Sequence, residues 1–392
     1  MALEYKQGTD STVGENIVTF YHYKKALIDV AKEQYFGQLA DVITMPKHYG
    51  KTIKTHHYLP LLDDRNVNDQ GLDATGATIS DGNLYGSSKD IGTIQSKIPT
   101  LSESGGRVNR VGFKRETIEG TIQKLGFFSE FTQDSLDFDD DSELVTHITR
   151  ESLRGANEIV EDLIQIDVLN GAGVTLFGGD ATATVELTGE DAAVKSELTY
   201  DMLVKMNTEL NNNRCPRNTQ IIAGSRMVDT KTIPSARYLY MGSELKPTIL
   251  KMTDYHGNKA FIPVQHYAEA GTVARGEQGS IDNFRIIEVP EMAHWASAGA
   301  AVTTNGGYRT TDDVNYDVFP VLCVGSNSFS TIGFQTDGKS VKFKVIMKKP
   351  GEEMADTNNP YGEVGFYSVK WFYGTMILRP EWIALAKVVA EI

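Results

Sequence analysis

Hydrophobic residues recur with helical spacing in three parts of the chain. A first helix is predicted over residues 20–43, where the apolar pattern ends before Pro46. The clearest pattern runs from Ser142 to Leu169 and predicts a helix about 40 Å long, at about 1.5 Å per residue. Its apolar stripe consists of Leu144, Ile148, Ala156, Ile159, Leu163 and Ile166 and continues on Val160, Ile164 and Leu169. A shorter helix is predicted over residues 199–213.

Apolar and polar residues alternate, as in β-strands, over much of the remaining chain. A strand is predicted in residues 51–62, and β structure returns over residues 107–132. Between them, residues 63–106 are rich in Gly, Asp, Ser and Asn and predict an extended loop, of a length typical of segments that wrap a partner. Later strands are predicted in TQIIAGS, FIPVQHY, NFRIIEVP, VFPVLCVG, SVKFKVIM and VGFYSVKWFYGTMILRP. The pattern predicts an α+β protein with one long central helix.

The composition is that of a folded protein with an acidic excess. Hydrophobic residues make up 40% and charged residues 23% of the 392 positions, which excludes global disorder. A net charge of −14 argues against a protein that grips DNA or RNA, because binding to phosphates needs a basic surface. Residues 318–336 are uncharged, but they contain Pro320 and several polar residues, so a pair of strands is predicted rather than a membrane span.

The start of the sequence and the cysteines bear on the compartment. The first residues lack the apolar core of a signal peptide, so no export is predicted. Cys215 and Cys323 are far apart in sequence and provide no disulfide framework. Both observations favour a reducing cytoplasm.

The stretch GFQTDGKS, residues 333–340, matches the phosphate-binding loop of ATPases and GTPases letter for letter. That loop works only when a helix follows it, because the amides of the helix N-terminus face the phosphates. Here the next residues alternate as a strand, and Asp337-Gly338 is a typical hairpin-turn sequence. We therefore predict a β-hairpin tip, with Lys339 a surface charge; a nucleotide hydrolase that uses Lys339 and Ser340 is the enzymatic alternative.

No other pattern indicates catalysis or metal binding. His48, His56 and His57 lie among lysines, which repel a cation. The acidic run at residues 134–143 begins like a calcium loop but has Ser142 where that loop needs Gly. The sequence also lacks a nucleophile motif, so we predict no catalytic residue, no cofactor and no metal.

Two charged segments of opposite sign are candidates for a contact between subunits. The segment RVNRVGFKR carries four basic residues and no acid, and the run at residues 134–143 is strongly acidic. The residues concerned are Arg107, Arg110, Lys114 and Arg115 on one side and Asp137, Asp139, Asp140 and Asp141 on the other. The acidic run could belong to the same subunit or to a neighbour, and a solvated, unpaired basic loop is the other interpretation.

Three separated segments resemble the major capsid proteins of short-tailed phages of the coliphage N-four type. They are FGQLADVITMPKHYGKTIKTHHYLPLLDDRNVNDQGLDATG, ARGEQGSIDNFRIIEVPEM and NPYGEVGFYSVKWFYGTMILRPEWIALA. The resemblance implies the Hong Kong 97-type capsid fold. Its parts are expected here as an N-terminal arm with a helix (1–51), an extended hairpin loop (52–132), a peripheral domain with the spine helix (133–199), an axial domain (200–339) and C-terminal strands returning to the peripheral domain (340–392).

The resemblance also implies a structural function. It predicts self-assembly as pentamers and hexamers into an icosahedral shell around double-stranded DNA, which the acidic chain encloses without sequence-specific binding. Scaffolding, portal and decoration proteins are the expected partners, with no membrane involved. Assembly is expected in the host cytoplasm and the final location in the virion. A β-rich adhesin or tail component, which would lack the long helix, is a further alternative.

Overall fold

The computed structural model of the protein describes most of the second half of the chain and parts of the first. The described residues are 35–45, 48, 50–58, 115–137, 144–190, 193–223, 229–233, 236–267, 273–334, 343–355 and 360–392. Within them, helices and sheets pack together in a mixed architecture, and the predicted α+β class is confirmed.

A seven-stranded sheet forms the centre of the described structure. Its strands, in spatial order, are β5 (Val174–Phe177), β17 (Ile383–Val388), β12 (Phe319–Val324), β8 (Arg237–Gly242), β11 (Phe284–Val289), β10 (Glu277–Ile281) and β9 (Ile262–Pro263). Every residue of β8 and β12 is buried, as expected for strands that are covered on both faces. Strand β17 pairs in parallel with β5 and antiparallel with β12.

Helices cover both faces of this sheet. The long helix α2 (Leu144–Asn170) lies on one face and shares a hydrophobic cluster with Tyr240. The opposite face packs against α3 (Tyr200–Asn212) and α4 (Lys246–Lys251), where Leu239 lies in a second cluster. Neighbouring residues of β8 enter different clusters because successive side chains of a strand point to opposite faces.

A three-stranded antiparallel sheet packs against the cluster formed around α2. Its order is β14 (Phe343–Lys348), β15 (Val364–Tyr373) and β4 (Gln123–Thr132). Alternate residues of β15, Trp371 among them, are buried in that cluster. The sheet therefore has one face toward the core and one face turned away from it.

Smaller elements complete the described structure. A mixed sheet contains β1 (Asp41–Met45), β13 (Phe329–Phe334) and β16 (Thr375–Ile377), with β1 parallel to β13. Two antiparallel pairs are β2 (Thr52–Tyr58) with β3 (Arg115–Thr121), and β6 (Thr219–Ala223) with β7 (Asp229–Ile233). A short helix, α1 (Gln133–Asp137), follows β4.

The predicted helices at residues 142–169 and 199–213 are confirmed as α2 and α3. The predicted first helix is wrong over its described part, and residues 20–34 lie outside the described residues. Residues 36–39 form one turn of 3-10 helix, and β1 begins at Asp41. The run Val-Ile-Thr within β1 is β-branched, and its pairing with β13 outweighs the helical spacing.

The strand predictions are largely confirmed. The uncharged stretch at residues 318–336 forms β12 and β13, and among the described residues no helix is long and apolar enough to cross a membrane. The stretch FIPVQHY differs, because only two residues join the central sheet, as β9, before a 3-10 turn at Val264–His266.

Candidate subunit-contact surface

The phosphate-loop motif lies between two strands of different sheets. Gly333 and Phe334 end β13, residues 335–340 lie outside the described residues, and β14 follows from Phe343. A strand rather than a helix follows the motif, as predicted. The predicted hairpin is wrong, because β13 pairs with β1 and β16 while β14 pairs with β15. Packing of Phe343 edge-on against Trp371 helps to hold β14 in the other sheet.

The described residues contain no group of three or more His, Cys, Asp or Glu that could hold a metal ion. His56 is exposed on β2, with Nδ1 3.1 Å from the hydroxyl of Thr117. Cys215 and Cys323 are free thiols, and both are buried. Burial raises the pKa of Cys215 to about 11 and raises the pKa of Cys323 as well, so the reactive thiolate is scarce at neutral pH.

The β2–β3 pair stands outside the large hydrophobic clusters. Near its base, Ile53 and Ile118 pack against a small cluster that contains Met376. At its far end Tyr58 pairs with Arg115, and Tyr58 is 67% exposed. Tyr58 and Arg115, the described residues on either side of residues 59–114, therefore lie together at the end of the strand pair that is farther from its base.

The charged residues predicted to meet are mostly beyond what the structure describes. Arg115 is exposed at the start of β3, and Asp137 is the last residue of α1, with its side chain outside the described part. The others, Arg107, Arg110, Lys114, Asp139, Asp140 and Asp141, lie outside the described residues. Strands of 7 and 10 residues separate Arg115 from α1 along the chain. The pairing stays a prediction.

The sheet of β14, β15 and β4 exposes apolar side chains that the sequence reasoning missed. Phe128 of β4 is 68% exposed, and its register partner on β15 is Ser368, which pairs in turn with Ile346 of β14. The neighbouring Phe127 contacts Trp371 on the core side. Two adjacent phenylalanines in a strand must face opposite sides, and this was the available signal. Phe128 and Ile346 are both exposed in this row, which makes it a candidate contact surface.

Buried polar groups of α2 and β8 form hydrogen bonds with the first described residues of the chain. Glu161 of α2 is 5% exposed, and its Oε1 accepts hydrogen bonds from the backbone N–H groups of Tyr35 and Phe36, both at 2.5 Å. The hydroxyl of Tyr240 donates to the carbonyl of Tyr35 at 2.9 Å, and the ring of Phe36 stacks on that of Tyr240, with centroids 4.5 Å apart. Glu161 lies three residues before Ile164 on the buried face of α2, a signal that the sequence reasoning did not use.

Comparison with known proteins gives a consistent result. A family model described as phage capsid protein matches residues 115–388. A major capsid protein of Pseudomonas phage KPP21 is 58% identical over 386 residues, which cover 98% of this chain and 96% of that protein.

Solved structures of phage capsids share the architecture. The capsid of Ralstonia phage GP4 aligns with a TM-score of 0.59 at 11% identity, covering 98% of this chain and 99% of the other. The capsid of cyanophage Pam1 aligns with a TM-score of 0.53 at 13% identity, covering 97% and 99%. At 11% and 13% identity, the similarity to these two structures shows a shared fold and nothing about function.

Proposed function

Because the chain belongs to the phage capsid protein family, we propose that its copies assemble as pentamers and hexamers into an icosahedral shell enclosing a double-stranded DNA genome. The chain is a major capsid protein of a tailed phage with the Hong Kong 97-like fold; it is a structural protein and not an enzyme. Its place is the capsid of the virion. The observation that carries the proposal is the 58% identity to a major capsid protein over nearly the whole of both chains.

The alternative functions lose their support. The nucleotide-hydrolase hypothesis needed a helix after the GFQTDGKS motif, and a strand stands there instead. The adhesin or tail hypothesis predicted no long helix, whereas α2 has 27 residues.

Finer features of the proposal come from the resemblance found in the sequence. The phage is of the short-tailed N-four type, and assembly takes place in the host cytoplasm. Scaffolding, portal and decoration proteins are partners, and the DNA is enclosed without sequence-specific binding. The acidic net charge of −14 supports this last point, because a shell with that charge does not adhere to phosphates.

The proposed division into parts follows the same resemblance. The arm (1–51), extended loop (52–132), peripheral domain (133–199), axial domain (200–339) and C-terminal strands (340–392) remain the proposed units. Pairing of β2 with β3 supports the loop, because it joins two segments that belong to its two ends. The C-terminal part supplies strands to more than one sheet, β15 to the three-stranded sheet and β17 to the central one.

We further propose that the basic segment meets the acidic run of a neighbouring subunit. The proposed contact joins Arg107, Arg110, Lys114 and Arg115 to Asp137, Asp139, Asp140 and Asp141. Two observations support it. Arg115 is exposed, and β3 and β4 lie between Arg115 and α1 along the chain, which favours an acidic partner from another subunit over the one in the same subunit. Opposite charges at a contact between copies select the register in which they meet.

The assembly proposal is tested by expressing the full chain alone and together with its scaffolding and portal proteins. We expect closed particles with fivefold vertices in electron micrographs and a large sedimenting species in ultracentrifugation. The variant Lys339→Ala is a matched control, since it removes the key residue of the phosphate-loop motif and should leave assembly unchanged. A chain that stays a compact monomer with both partners present would contradict the proposal.

A further inference from the structure

Residues 35–40, which we call the strap, contact both the long helix and the central sheet. Residues 36–39 form one turn of 3-10 helix. Such a turn has few hydrogen bonds of its own, so contacts with other elements must hold the strap in place. Five of its six residues are at most 8% exposed: Tyr35, Phe36, Gln38, Leu39 and Ala40.

One end of the strap is anchored to α2. The backbone N–H groups of Tyr35 and Phe36 both donate to Oε1 of Glu161, at 2.5 Å. Glu161 is itself buried, so these hydrogen bonds replace the hydration that its carboxylate loses. A displacement of this end relative to α2 would leave buried polar groups without these partners, which costs free energy.

The other end is anchored to the residues just before β10. The side-chain oxygen of Gln38 accepts from the N–H of Arg275 at 3.0 Å, and its NH₂ group donates to the Arg275 carbonyl at 3.1 Å. The next residue, Gly276, has a φ of +75°, and a Cβ there would lie 2.4 Å from Cε1 of Tyr35. The strap therefore fits against this loop only because the position is a glycine.

The loop that receives Gln38 is itself held to the central sheet. Glu277, the first residue of β10, is buried, and its Oε2 accepts from the N–H of Ala274 at 2.8 Å. Its Oε1 lies 3.4 Å from Nη1 of Arg285 on β11. These contacts enclose Arg275, so its position follows that of β10 and β11.

The middle of the strap lies on β8. The hydroxyl of Tyr240 donates to the carbonyl of Tyr35 at 2.9 Å, and the rings of Tyr240 and Phe36 stack. Apolar packing is not directional and tolerates small displacements, whereas hydrogen bonds depend on distance and angle. The polar contacts at the two ends therefore determine where the strap lies.

The two anchor points leave no slack between them. Gly37 alone separates Phe36 from Gln38, and the rise of about 2 Å per residue in a 3-10 turn places these residues about 4 Å apart along the turn. A shift large enough to break the hydrogen bonds to Glu161 therefore also moves Gln38 away from Arg275.

We propose that the strap is a conformational device that couples α2 to the loop before β10, so that both ends are docked together or released together. Residues 1–34 join the strap at Tyr35, so a contact that displaces them acts first on the anchor at Glu161 and then, through Gln38, on Arg275. The coupling is a property of the single subunit. Its consequence for a shell rests on the proposed assembly: a contact made by residues 1–34 of one copy changes the loop before β10 of that copy.

Hydrogen exchange of the full chain, followed by mass spectrometry, tests the coupling. Glu161→Gln weakens the anchor at α2 and should increase the exchange rate of the Arg275 amide by about tenfold, although that amide donates to Gln38 and not to Glu161. The matched control is Glu151→Gln, because Glu151 is exposed on the same helix and pairs with Arg154. Equal exchange of the Arg275 amide in the two variants would overturn the proposal.

The reverse experiment starts from the other end. Gln38→Ala removes the anchor at Arg275 and should increase the exchange rates of the Tyr35 and Phe36 amides by a similar factor, because coupling between two sites is reciprocal. Gln123→Ala is the control, since Gln123 is exposed at the start of β4. Faster exchange at Arg275 alone would show that Gln38 makes only a local contact, and would overturn the coupling.

Two glycines allow a test that removes no hydrogen-bonding side chain. Gly276→Ala places a Cβ against the ring of Tyr35 and should increase the exchange rate of the Phe36 amide. Gly307 also has a positive φ, of +92°, but has open space around it, so Gly307→Ala imposes similar backbone strain away from the strap. An equal effect of both substitutions on the Phe36 amide would contradict the proposal.

Exchange within β12 separates the coupling from a general loss of stability. This strand is buried in the middle of the central sheet, so its amides report on unfolding of the whole subunit, and their exchange should rise less than that of Arg275. An equal rise in β12 would overturn a specific coupling through the strap.

The outcomes for the coupling and for the proposed function are distinguishable, because hydrogen exchange does not require particles. If the unaltered chain forms no particles, the proposed function fails while the coupling can still be measured. If particles form and exchange at Arg275 does not respond to Glu161→Gln, the coupling fails while the proposed function stands.

Discussion

At the scale of single residues, Glu161 holds the start of the described chain in place. A carboxylate in a hydrophobic cluster is costly unless hydrogen bonds compensate it, and here two backbone N–H groups, of Tyr35 and Phe36, donate to it. The same segment is held by Gln38, whose side chain accepts from the N–H of Arg275 at 3.0 Å and donates to its carbonyl at 3.1 Å. Residues 35–40 are thus fixed by polar contacts as well as by burial.

Removing the carboxylate should therefore destabilise the subunit. Glu161→Ala leaves two buried N–H groups without this acceptor, at a cost of about 1–3 kcal/mol each. Glu161→Gln keeps an acceptor oxygen and should cost less. Denaturant unfolding measures both, with Glu151→Ala as the control, because Glu151 forms an exposed ion pair with Arg154 on the same helix. Equal stability of the Glu161→Ala and Glu151→Ala variants would contradict this role.

At the scale of elements, α2 shows how far a helical pattern can specify a buried face. The spacing predicted the helix and its ends within two residues, but it placed Ile159 and Ile166 on the apolar stripe with Ala156. In the structure Ala156 is fully buried, while Ile159 and Ile166 are 46% and 47% exposed. The apolar arc of this helix is wide, and the sheets that pack on it decide which part of the arc is covered.

Substitutions on the buried and the exposed side of α2 should change the free energy of unfolding by different amounts. Ala156→Leu adds volume where no space exists and should destabilise the subunit by about 1–3 kcal/mol. Ile159→Lys should change the free energy of unfolding by no more than about 0.5 kcal/mol, because its site is exposed. Thermal or denaturant unfolding of the two variants checks this. Comparable destabilisation by Ile159→Lys would mean that the exposed side of α2 has been misassigned.

The sheets show what the sequence could and could not specify at this scale. Alternation identified β11, β12, β14 and β15 as strands, because one face of each must meet a core. Partners were not predictable: Asp337-Gly338 favoured a hairpin, yet β14 pairs with β15, and β1 pairs with a strand almost 300 residues away. Such pairings depend on long-range packing, which local spacing does not record. The row of Phe128, Ser368 and Ile346 likewise becomes visible only when the register of three strands is known.

At the scale of the whole molecule, the distribution of charge matters more than its sum. An excess of acids keeps subunits apart in solution, so contacts between copies need local patches of the opposite sign. The basic segment that ends at Arg115 is one such patch. Three sequence segments were enough to predict a phage major capsid protein, whereas the predicted contact residues stay a prediction, because one sequence does not record which surface of a neighbouring copy a charged segment meets.

Reversal of the basic segment should weaken assembly in a salt-dependent way. Arg110→Glu with Arg115→Glu places acids against the acidic run, and the repulsion extends about 30 Å at 0.01 M salt but about 8 Å at 0.15 M. Particle yield should therefore fall most at low salt, as measured by light scattering. The pair Arg217→Glu and Lys259→Glu provides a control with the same change of net charge. Yields equal to those of the unaltered chain at every salt concentration would reject the contact.

The position of β17 has a consequence for how the protein is made. Residues 383–388 occupy a place between β5 and β12, so the central sheet has a gap until they have been synthesised. A nascent chain that stops earlier leaves β12 with an open edge, and such an edge favours aggregation. Ribosomal synthesis must therefore pass residue 388 before a subunit can complete its core. A chain that ends before residue 383 lacks the strand that joins β5 to β12, and we expect such a chain to be unable to complete the central sheet.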